Sequence, residues 1–226
     1  LTALAPRRSR RAESAAPADA SGLADLLALI KQHDAAGYLQ AMQQRLARQG
    51  LQRFVQDTVA PLTRQVGEAW EDGSFEVFEE HLFTELTKRL LRQTIAALPS
   101  GPRGPRVLLT SVPDEPHILG LLMVEALLAL EGAECIPLGT QMPLLEIGRA
   151  AAAHRADIVG LSFSIAFPQR QIPGLLQQLR QILPTTVELW AGGGGIQRRP
   201  QMQGVLTLDT FDAAITALAD WRANHS

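Results

Sequence analysis

The chain has 226 residues, of which 46% are hydrophobic and 19% charged, as is typical of a soluble globular protein of one large domain or two small ones. Its net charge of −2 provides no overall attraction to nucleic acid or anionic lipid, and its single cysteine excludes an internal disulfide and a cysteine-based metal cluster. No segment reaches the roughly 18 to 20 apolar residues that a membrane helix requires, so we expect no membrane contact. The single cysteine fits a reducing compartment, and we expect a cytoplasmic protein.

The first 20 residues are rich in Ala, Arg, Ser and Pro and lack hydrophobic periodicity, which predicts a disordered arm or linker. Its arginines can contact phosphates, although a solvated linker is the favoured interpretation. Small and polar residues follow these arginines, where a secretory signal would have an apolar core. The chain begins at Leu1, and we expect it to be part of a longer protein.

Residues 21–98 have the apolar spacing of helices. In the first predicted helix the residues at helical intervals are Leu23, Leu26, Leu27 and Ile30. Asp34 predicts the N-cap of a second helix, which ends at Gly50.

Two longer helices complete the helical region. A third helix is expected over residues 51–70, with a kink near Pro61 because proline disturbs a helix interior. Ser74 follows a glycine and is expected to cap a fourth helix over residues 75–98. Four helices with short connections predict an antiparallel bundle.

After a Pro- and Gly-rich linker at residues 99–105, apolar strands alternate with helices. Strands are expected at residues 106–112, 134–138, 158–164, 187–191 and 205–208. Helices are expected at residues 118–130, 143–154, 168–183 and 209–223, with a shorter helical piece after Gly195. This alternation predicts a Rossmann-like parallel sheet with helices on both faces, so the expected fold class is α + α/β. Ligands of such sheets bind at the carboxyl ends of the strands.

The loop after the first predicted strand contains His117, preceded by Glu115 and followed by Gly120. Imidazole is a common metal ligand, and Glu115 is close enough in sequence to bond the other ring nitrogen. Gly120 removes a side chain where a large flat ligand would approach. Taken alone, however, a histidine in a loop is more often a surface or capping residue.

Two further loops have candidate ligand-binding residues at the same edge of the sheet. Ser162 and Ser164 end the third strand, and their hydroxyls either bond a ligand or act as ordinary cap residues. Four consecutive glycines, residues 192–195, end the fourth strand and either leave an open groove or bind phosphate through their N–H groups.

In chain order these loops resemble the cobalamin-binding domain shared by methionine synthase, corrinoid methyl carriers and some mutases. The pattern of that family is Asp-x-His-x-x-Gly, then Ser-x-Leu or a variant, then Gly-Gly, after the first, third and fourth strands. In this chain the pattern stands as Glu115-x-His117-x-x-Gly120, Ser162-x-Ser164 and Gly192-Gly193.

The resemblance covers about residues 101–226 and implies that His117 is the lower axial ligand of cobalt. It also implies that the dimethylbenzimidazole tail of the cobalamin occupies a slot through the sheet. The chain departs from the family pattern twice. Glu115 replaces Asp and keeps a hydrogen bond to His117 feasible, whereas Ser164 replaces Leu and alters the shape expected for the tail slot.

The helical region contains Trp70-x9-Glu80-His81. This spacing resembles the cap of the adenosylcobalamin-dependent photoreceptors, the light-responsive regulators of the MerR type. The resemblance implies that Trp70 and Glu80 contact the 5′-deoxyadenosyl group in the dark, and that His81 becomes the upper cobalt ligand after light breaks the Co–C bond. It further implies a change of domain arrangement, a dark homo-oligomer that is a tetramer in that family, and DNA binding only through a domain upstream of these residues.

Two other functions share part of these sequence features. A corrinoid protein that carries methyl groups for a methyltransferase shares the two-domain plan and the His117 motif, but it needs no adenosyl pocket. A receiver-like domain without corrinoid requires a phosphorylatable Asp after the third strand, and Asp114 and Asp157 are elsewhere.

Overall fold

The N-terminal part of the chain is helical in the computed structural model, which describes residues 18–99, 104–196 and 202–225. Its helices are α1 (Ala18–Lys31), α2 (Ala35–Gln49), α3 (Leu51–Arg53), α4 (Ala60–Glu71) and α5 (Val77–Ala96), with a π-helical segment (Phe54–Val59) between α3 and α4. Because α3, this segment and α4 follow one another without a break, they form the third long helix of a four-helix bundle.

The predicted start of the first helix is wrong by one turn. Helix α1 begins at Ala18, so residues 18–20 are helical and do not belong to a disordered arm. The rest of the predicted arm, residues 1–17, lies outside the described residues.

The predicted cap of the fourth helix is also wrong. Helix α5 is capped by Glu76, because the side chains of Glu76 and Glu79 each accept a hydrogen bond from the other residue's backbone N–H. The hydroxyl of Ser74 donates instead to the carbonyl of Ala69, at 3.0 Å. The reciprocal pair satisfies two helix-terminal N–H groups, whereas a serine cap satisfies one.

The irregularity predicted near Pro61 takes the form of the π-helical segment, which ends two residues before the proline. Pro61 lacks an N–H, and its ring conflicts with the preceding turn of a regular α-helix. The backbone N–H of Ala60 donates to the carbonyl of Val55, five residues earlier, which widens this turn. We attribute the wider turns to the accommodation of the proline.

The C-terminal part is a parallel sheet of five strands in the order β2-β1-β3-β4-β5. The strands are β1 (Arg106–Thr110), β2 (Glu134–Gly139), β3 (Ile158–Ser162), β4 (Glu188–Gly192) and β5 (Leu206–Leu208). The helices are α6 (Leu119–Leu130), α7 (Leu144–His154), α8 (Ile172–Ile182) and α9 (Phe211–Asn224). This architecture confirms the predicted fold class, and its order reverses between β1 and β3, where such sheets bind ligands.

Alternating strand residues pack on opposite faces of the sheet. Leu108 and Val159 are buried in a cluster with α7 and α8. Val107 and Ile158, their neighbours in sequence, are buried in a second cluster with α6 and α9. Both faces are therefore covered, which explains why these strands are apolar throughout.

Strands β1 and β3 each end two residues earlier than predicted, at Thr110 and Ser162. After β3, the N–H of Phe163 still donates to the carbonyl of Gly192 at the end of β4, whereas the N–H of Ser164 donates to the side chain of Glu115 in the loop after β1. Residues 100–103 of the predicted linker lie outside the described residues, as do residues 197–201 of the helical piece expected after Gly195.

Helix α6 joins the two parts of the molecule. Its residues Leu122 and Leu127 are buried in one cluster with bundle residues such as Phe54 and Leu91. The same helix contributes Leu121 to the core of the sheet. The bundle therefore packs on α6, close to the loop that precedes it.

Among the helices that are described, none is long and apolar enough to cross a membrane.

Candidate functional site at the carboxyl edge of the sheet

The loop between β1 and α6 places Glu115 and His117 at the carboxyl edge of the sheet. Ser111 starts this loop, where its hydroxyl donates to the carbonyl of Glu115 and accepts from the backbone N–H of Gln141 at 2.9 Å. The carbonyl of Ser111 accepts a further bond from Met142. The loops after β1 and β2 therefore hold each other in place.

Glu115 connects His117 to the loop after β3. Its carboxylate is buried, and its Oε1 lies 2.6 Å from His117 Nδ1. Its Oε2 accepts two bonds from Ser164, from the backbone N–H at 2.7 Å and from the hydroxyl at 2.9 Å. The imidazole is therefore oriented by a carboxylate that is itself held by a second strand's loop, which is the arrangement typical of metal-binding histidines.

These contacts shift the pKa of both titratable groups. Burial alone would raise the pKa of Glu115, but the hydrogen bonds from His117 and Ser164 outweigh burial and lower it. The hydrogen bond to Glu115 raises the pKa of His117 above its ordinary value of 6.5, against the effect of burial, and the charge of Glu80 adds to the rise. Glu115 is therefore charged at neutral pH and fixes the Nδ1–H tautomer of the imidazole.

The other nitrogen of His117 is available to a ligand. The imidazole is 55% exposed, and within the described part of the chain no atom hydrogen-bonds its Nε2. A metal approaching the sheet edge would therefore meet an oriented, unbonded imidazole nitrogen.

Gly120 and Ser162 face each other between α6 and the end of β3. A Cβ atom on Gly120 would lie 2.7 Å from the Ser162 hydroxyl oxygen, closer than the two atoms can approach. The sequence predicts that the Ser162 hydroxyl bonds the tail of a ligand. In the structure this hydroxyl lies beside the Cα of Gly120. Ser164, the other hydroxyl candidate, bonds Glu115 and so supports His117.

The glycine run after β4 is packed against the loop after β3. Gly193 has a φ of +96°, and a Cβ atom there would lie 2.3 Å from the carbonyl oxygen of Phe163. Gly195 donates to the same carbonyl at 3.0 Å, and a Cβ atom on Gly195 would lie 2.6 Å from the Ser164 carbonyl oxygen. These two glycines therefore allow two loops to approach closely, so the open groove, one of the two predicted alternatives, is not found at Gly193 and Gly195.

Helix α5 of the bundle faces the His117 loop across a cavity of about 350 Å³. Glu80, His81 and Thr84 line it from the helix, and Pro116 and Ile118, the two neighbours of His117, line it from the loop. Glu80 accepts from the hydroxyl of Thr84 at 2.8 Å, and its other oxygen lies 2.8 Å from Nδ1 of His81. The bundle thus places a carboxylate and a second imidazole above the loop that contains the first.

Trp70, the third residue that the sequence predicts for the upper face, does not line this cavity among the described residues. It lies in the last turn of α4, and half of its surface is exposed. Val77, one turn before His81 on α5, is also more than half exposed. Val77 lies three and four residues before Glu80 and His81, on their face of the helix, but among the described residues it does not line the cavity. The lining residues that the sequence did not indicate include Thr84, Lys88 and Arg92, which follow at helical spacing on α5.

Comparisons with known proteins identify the family of the chain. Two families, both described as a B12 binding domain, match residues 23–94 and residues 105–217. The HTH-type transcriptional repressor CarH of Myxococcus xanthus is 33% identical over 155 residues, which are 69% of this chain and 52% of that protein. The chain therefore spans about half the length of this relative.

A solved structure shares the fold. The monomethylamine corrinoid protein of Methanosarcina barkeri matches with a TM-score of 0.69 and 18% identity, over 90% of this chain and all of the other. At this identity the likeness concerns the fold alone. It supports the arrangement of a helical region followed by a parallel sheet.

Proposed function

Since this chain belongs to the B12-binding domain family, we propose that it is a cobalamin-binding light sensor that holds adenosylcobalamin and has no enzymatic activity of its own. The observation that supports the light-sensing part is the cavity in which Glu80 and His81 face the neighbours of His117. A carrier of small groups has no need of a second imidazole at this position.

The residues at the sheet edge fit the cofactor. His117 would be the lower cobalt ligand through Nε2, with Glu115 holding Nδ1 and Ser164 holding Glu115. Gly120 and Ser162, which lie side by side, would border the nucleotide tail. By the order of the family pattern, Gly192 and Gly193 would also border this tail, from loops that must separate where Gly193 now packs on the Phe163 carbonyl. The observation that favours a cofactor here is the oriented imidazole of His117, whose Nδ1 is held by the buried Glu115 carboxylate.

The bundle would contact the upper face. Trp70 and Glu80 would contact the adenosyl group in the dark, and the exposed side chain of Val77 would extend the apolar wall. When bound, adenosylcobalamin supplies a cobalt–carbon bond that visible light can break. His81 is 71% exposed on the cavity side of α5, so a movement of the bundle could bring its imidazole to the upper cobalt position.

Regulation by the whole protein is part of the proposal. The relative from Myxococcus xanthus is a transcriptional repressor of the HTH type, and this chain matches about half of it. We propose that DNA is bound through a domain upstream of these residues and that the protein acts in the cytoplasm. The dark form would be a homo-oligomer, a tetramer by resemblance, whose state changes on illumination.

Visible spectra of the protein loaded with adenosylcobalamin in the dark, taken before and after green light, test this proposal. We expect the spectrum to change with light, and His81→Ala to alter only the illuminated spectrum. His154→Ala is the matched control, because His154 lies exposed at the end of α7, away from the cavity. Its spectra should match those of the unchanged protein in both states.

Other outcomes would contradict the sensor. If methylcobalamin bound equally well and His81→Ala left the illuminated spectrum unchanged, the chain would be a corrinoid carrier of methyl groups. If the purified chain bound no cobalamin, both functions would be wrong.

Cobalamin affinity should depend on pH, because cobalt and a proton compete for Nε2 of His117. The bond to Glu115 raises the pKa of His117, so the imidazole of the free protein stays protonated to a higher pH than an ordinary histidine. We expect affinity to fall by about tenfold for each pH unit below this raised pKa, and to be constant above it. Titration calorimetry between about pH 5 and 9 measures the profile.

Glu115→Gln separates the two effects of the carboxylate. It removes the charge that raises the pKa of His117, so the fall in affinity should begin at a lower pH. It also weakens the orientation of the imidazole, so the affinity on the alkaline plateau should be about tenfold lower. If the pH at which cobalamin affinity begins to fall stays the same or increases, Glu115 does not control the protonation of His117.

A further inference from the structure

The loop between α4 and α5 separates Trp70 from Glu80 and His81, and it is held by one lysine of α1. Lys31 Nζ donates to the carbonyl of Ser74 at 2.7 Å and to Glu79 Oε2 at 2.8 Å. The same ammonium lies 5.1 Å from the centre of the Phe75 ring. A single charged group therefore contacts the loop at two successive residues and the first turn of α5.

At one end of this loop, the contacts of Lys31 extend to the position of Trp70. Ser74 donates its hydroxyl to the carbonyl of Ala69 at 3.0 Å, and Phe75 donates its backbone N–H to the same carbonyl at 2.9 Å. Ala69 precedes Trp70 in α4. A displacement of the loop would therefore displace the last turn of α4, to which the indole is attached.

At the other end, Glu79 fixes the first turn of α5. Its side chain is 5% exposed, and Oε2 also accepts from the backbone N–H of Glu76 at 2.8 Å. The bonds from Lys31 and Glu76 lower the pKa of Glu79, so the carboxylate is charged at neutral pH. Its Oε1 lies 3.7 Å from His33 Nε2, so a second cationic group can face it when that imidazole is protonated. Glu80 and His81 follow directly in the chain.

We propose that Lys31 is a positioning residue, which sets the placement of Glu80 and His81 relative to Trp70 and so determines whether His81 reaches cobalt after illumination. This inference rests on the proposed light-sensing function. Lys31 itself is at the end of α1 and is absent from the cavity lining among the described residues. It acts through Glu79 and Ser74, and it does not touch the ligand.

Lys31→Met tests the inference, because methionine keeps an apolar stem over Phe75 and removes the charged donor. We expect the dark spectrum with adenosylcobalamin to be unchanged, and the ratio of illuminated protein with two imidazole ligands to protein with one to fall by about tenfold. Lys31→Arg keeps the charge and should restore most of the ratio. Arg149→Met removes an exposed ion pair with Glu146 on α7 and should have no effect.

A second readout uses the protein without cobalamin. Hydrogen exchange of the backbone amides in residues 72–81 should be faster in Lys31→Met and unchanged in Arg149→Met, because only the first substitution frees the loop. If Lys31→Met does not bind cobalamin in the dark, the same measurements are made on Glu79→Gln, which also breaks the ion pair with Lys31. Glutamine keeps the acceptor for the Glu76 N–H but not the charge that holds Lys31.

The possible results distinguish the two proposals. If the unchanged protein gains a second imidazole on illumination and Lys31→Met gains it equally, with equal exchange rates, Lys31 is not a positioning residue and the sensor proposal stands. If the unchanged protein itself gains no second imidazole, the sensor proposal is wrong and the inference about Lys31 falls with it.

Discussion

Replacing His117 by alanine should weaken cobalamin binding by at least about 100-fold, which corresponds to about 2.7 kcal/mol. His117 is the only residue in the described part of the chain whose imidazole is oriented by a buried carboxylate at the sheet edge. Its loss removes the proposed cobalt ligand and leaves Glu115 with bonds to Ser164 but none to an imidazole. Equilibrium titration of the purified chain with cobalamin, on the alkaline plateau above the raised pKa of His117, measures the effect.

The control is His154→Ala, which removes an exposed imidazole from the end of α7 and should leave the affinity unchanged. Chemical unfolding of both variants without cobalamin shows whether His117→Ala has only weakened the fold, because a buried carboxylate has lost one partner. Affinity of His117→Ala within about threefold of the unchanged protein would exclude His117 as the main protein ligand.

The second large effect is expected for Gly193→Ala, which should lower the free energy of unfolding by roughly 2–4 kcal/mol. An alanine there would take a φ of +96° and bring Cβ within 2.3 Å of the Phe163 carbonyl oxygen. That oxygen is backbone and cannot rotate away, so the loops after β3 and β4 must separate. Since Ser164 follows Phe163 and holds Glu115, cobalamin affinity should fall as well.

Gly73→Ala is the matched control for the backbone strain. Gly73 also has a positive φ, +77°, but a Cβ atom there would meet no atom within 4 Å. It should cost about 1 kcal/mol, so the difference between the two variants measures the contact with Phe163. Urea denaturation without cobalamin gives both values, and equal losses would mean that the loops are not closely packed at Gly193.

The sequence was sufficient to predict the fold class and the local part of the site. Hydrophobic periodicity changed from helical to alternating elements near the Pro- and Gly-rich linker, and five strands were expected where five are found. Glu115 and His117 are two residues apart, so their hydrogen bond was within the reach of a sequence argument. Short-range geometry of this kind depends little on the rest of the fold.

The long-range contacts could not be predicted in this way. Ser164 holds Glu115 across 49 positions, and its role became evident only when β1 and β3 were placed side by side. The charge of Glu80 acts on His117 because the bundle packs on α6, a crossing that periodicity does not specify. Lys31 contacts the loop and α5 for the same reason.

The sequence around the start of α5 contains the pattern of the cap that the structure shows. Ser74 was preferred because serine is among the strongest N-cap residues. Glu76 is not, but the spacing of Glu76 and Glu79, three residues apart, is that of a capping box. The ion pair of the buried Glu79 carboxylate with the partly exposed Lys31 also stabilises this start, and Lys31 is 48 residues away in sequence.

Electron paramagnetic resonance tests the ligation of cobalt by His117 most directly, with the cobalt(II) form of cobalamin bound to protein whose histidines contain ¹⁵N. An axial ¹⁴N nucleus splits each cobalt line into a triplet, whereas ¹⁵N splits it into a doublet. We predict a doublet in the labelled protein and its disappearance in His117→Ala. A triplet that persists in the labelled protein would mean that cobalt keeps the nitrogen of its own dimethylbenzimidazole, and it would contradict the account.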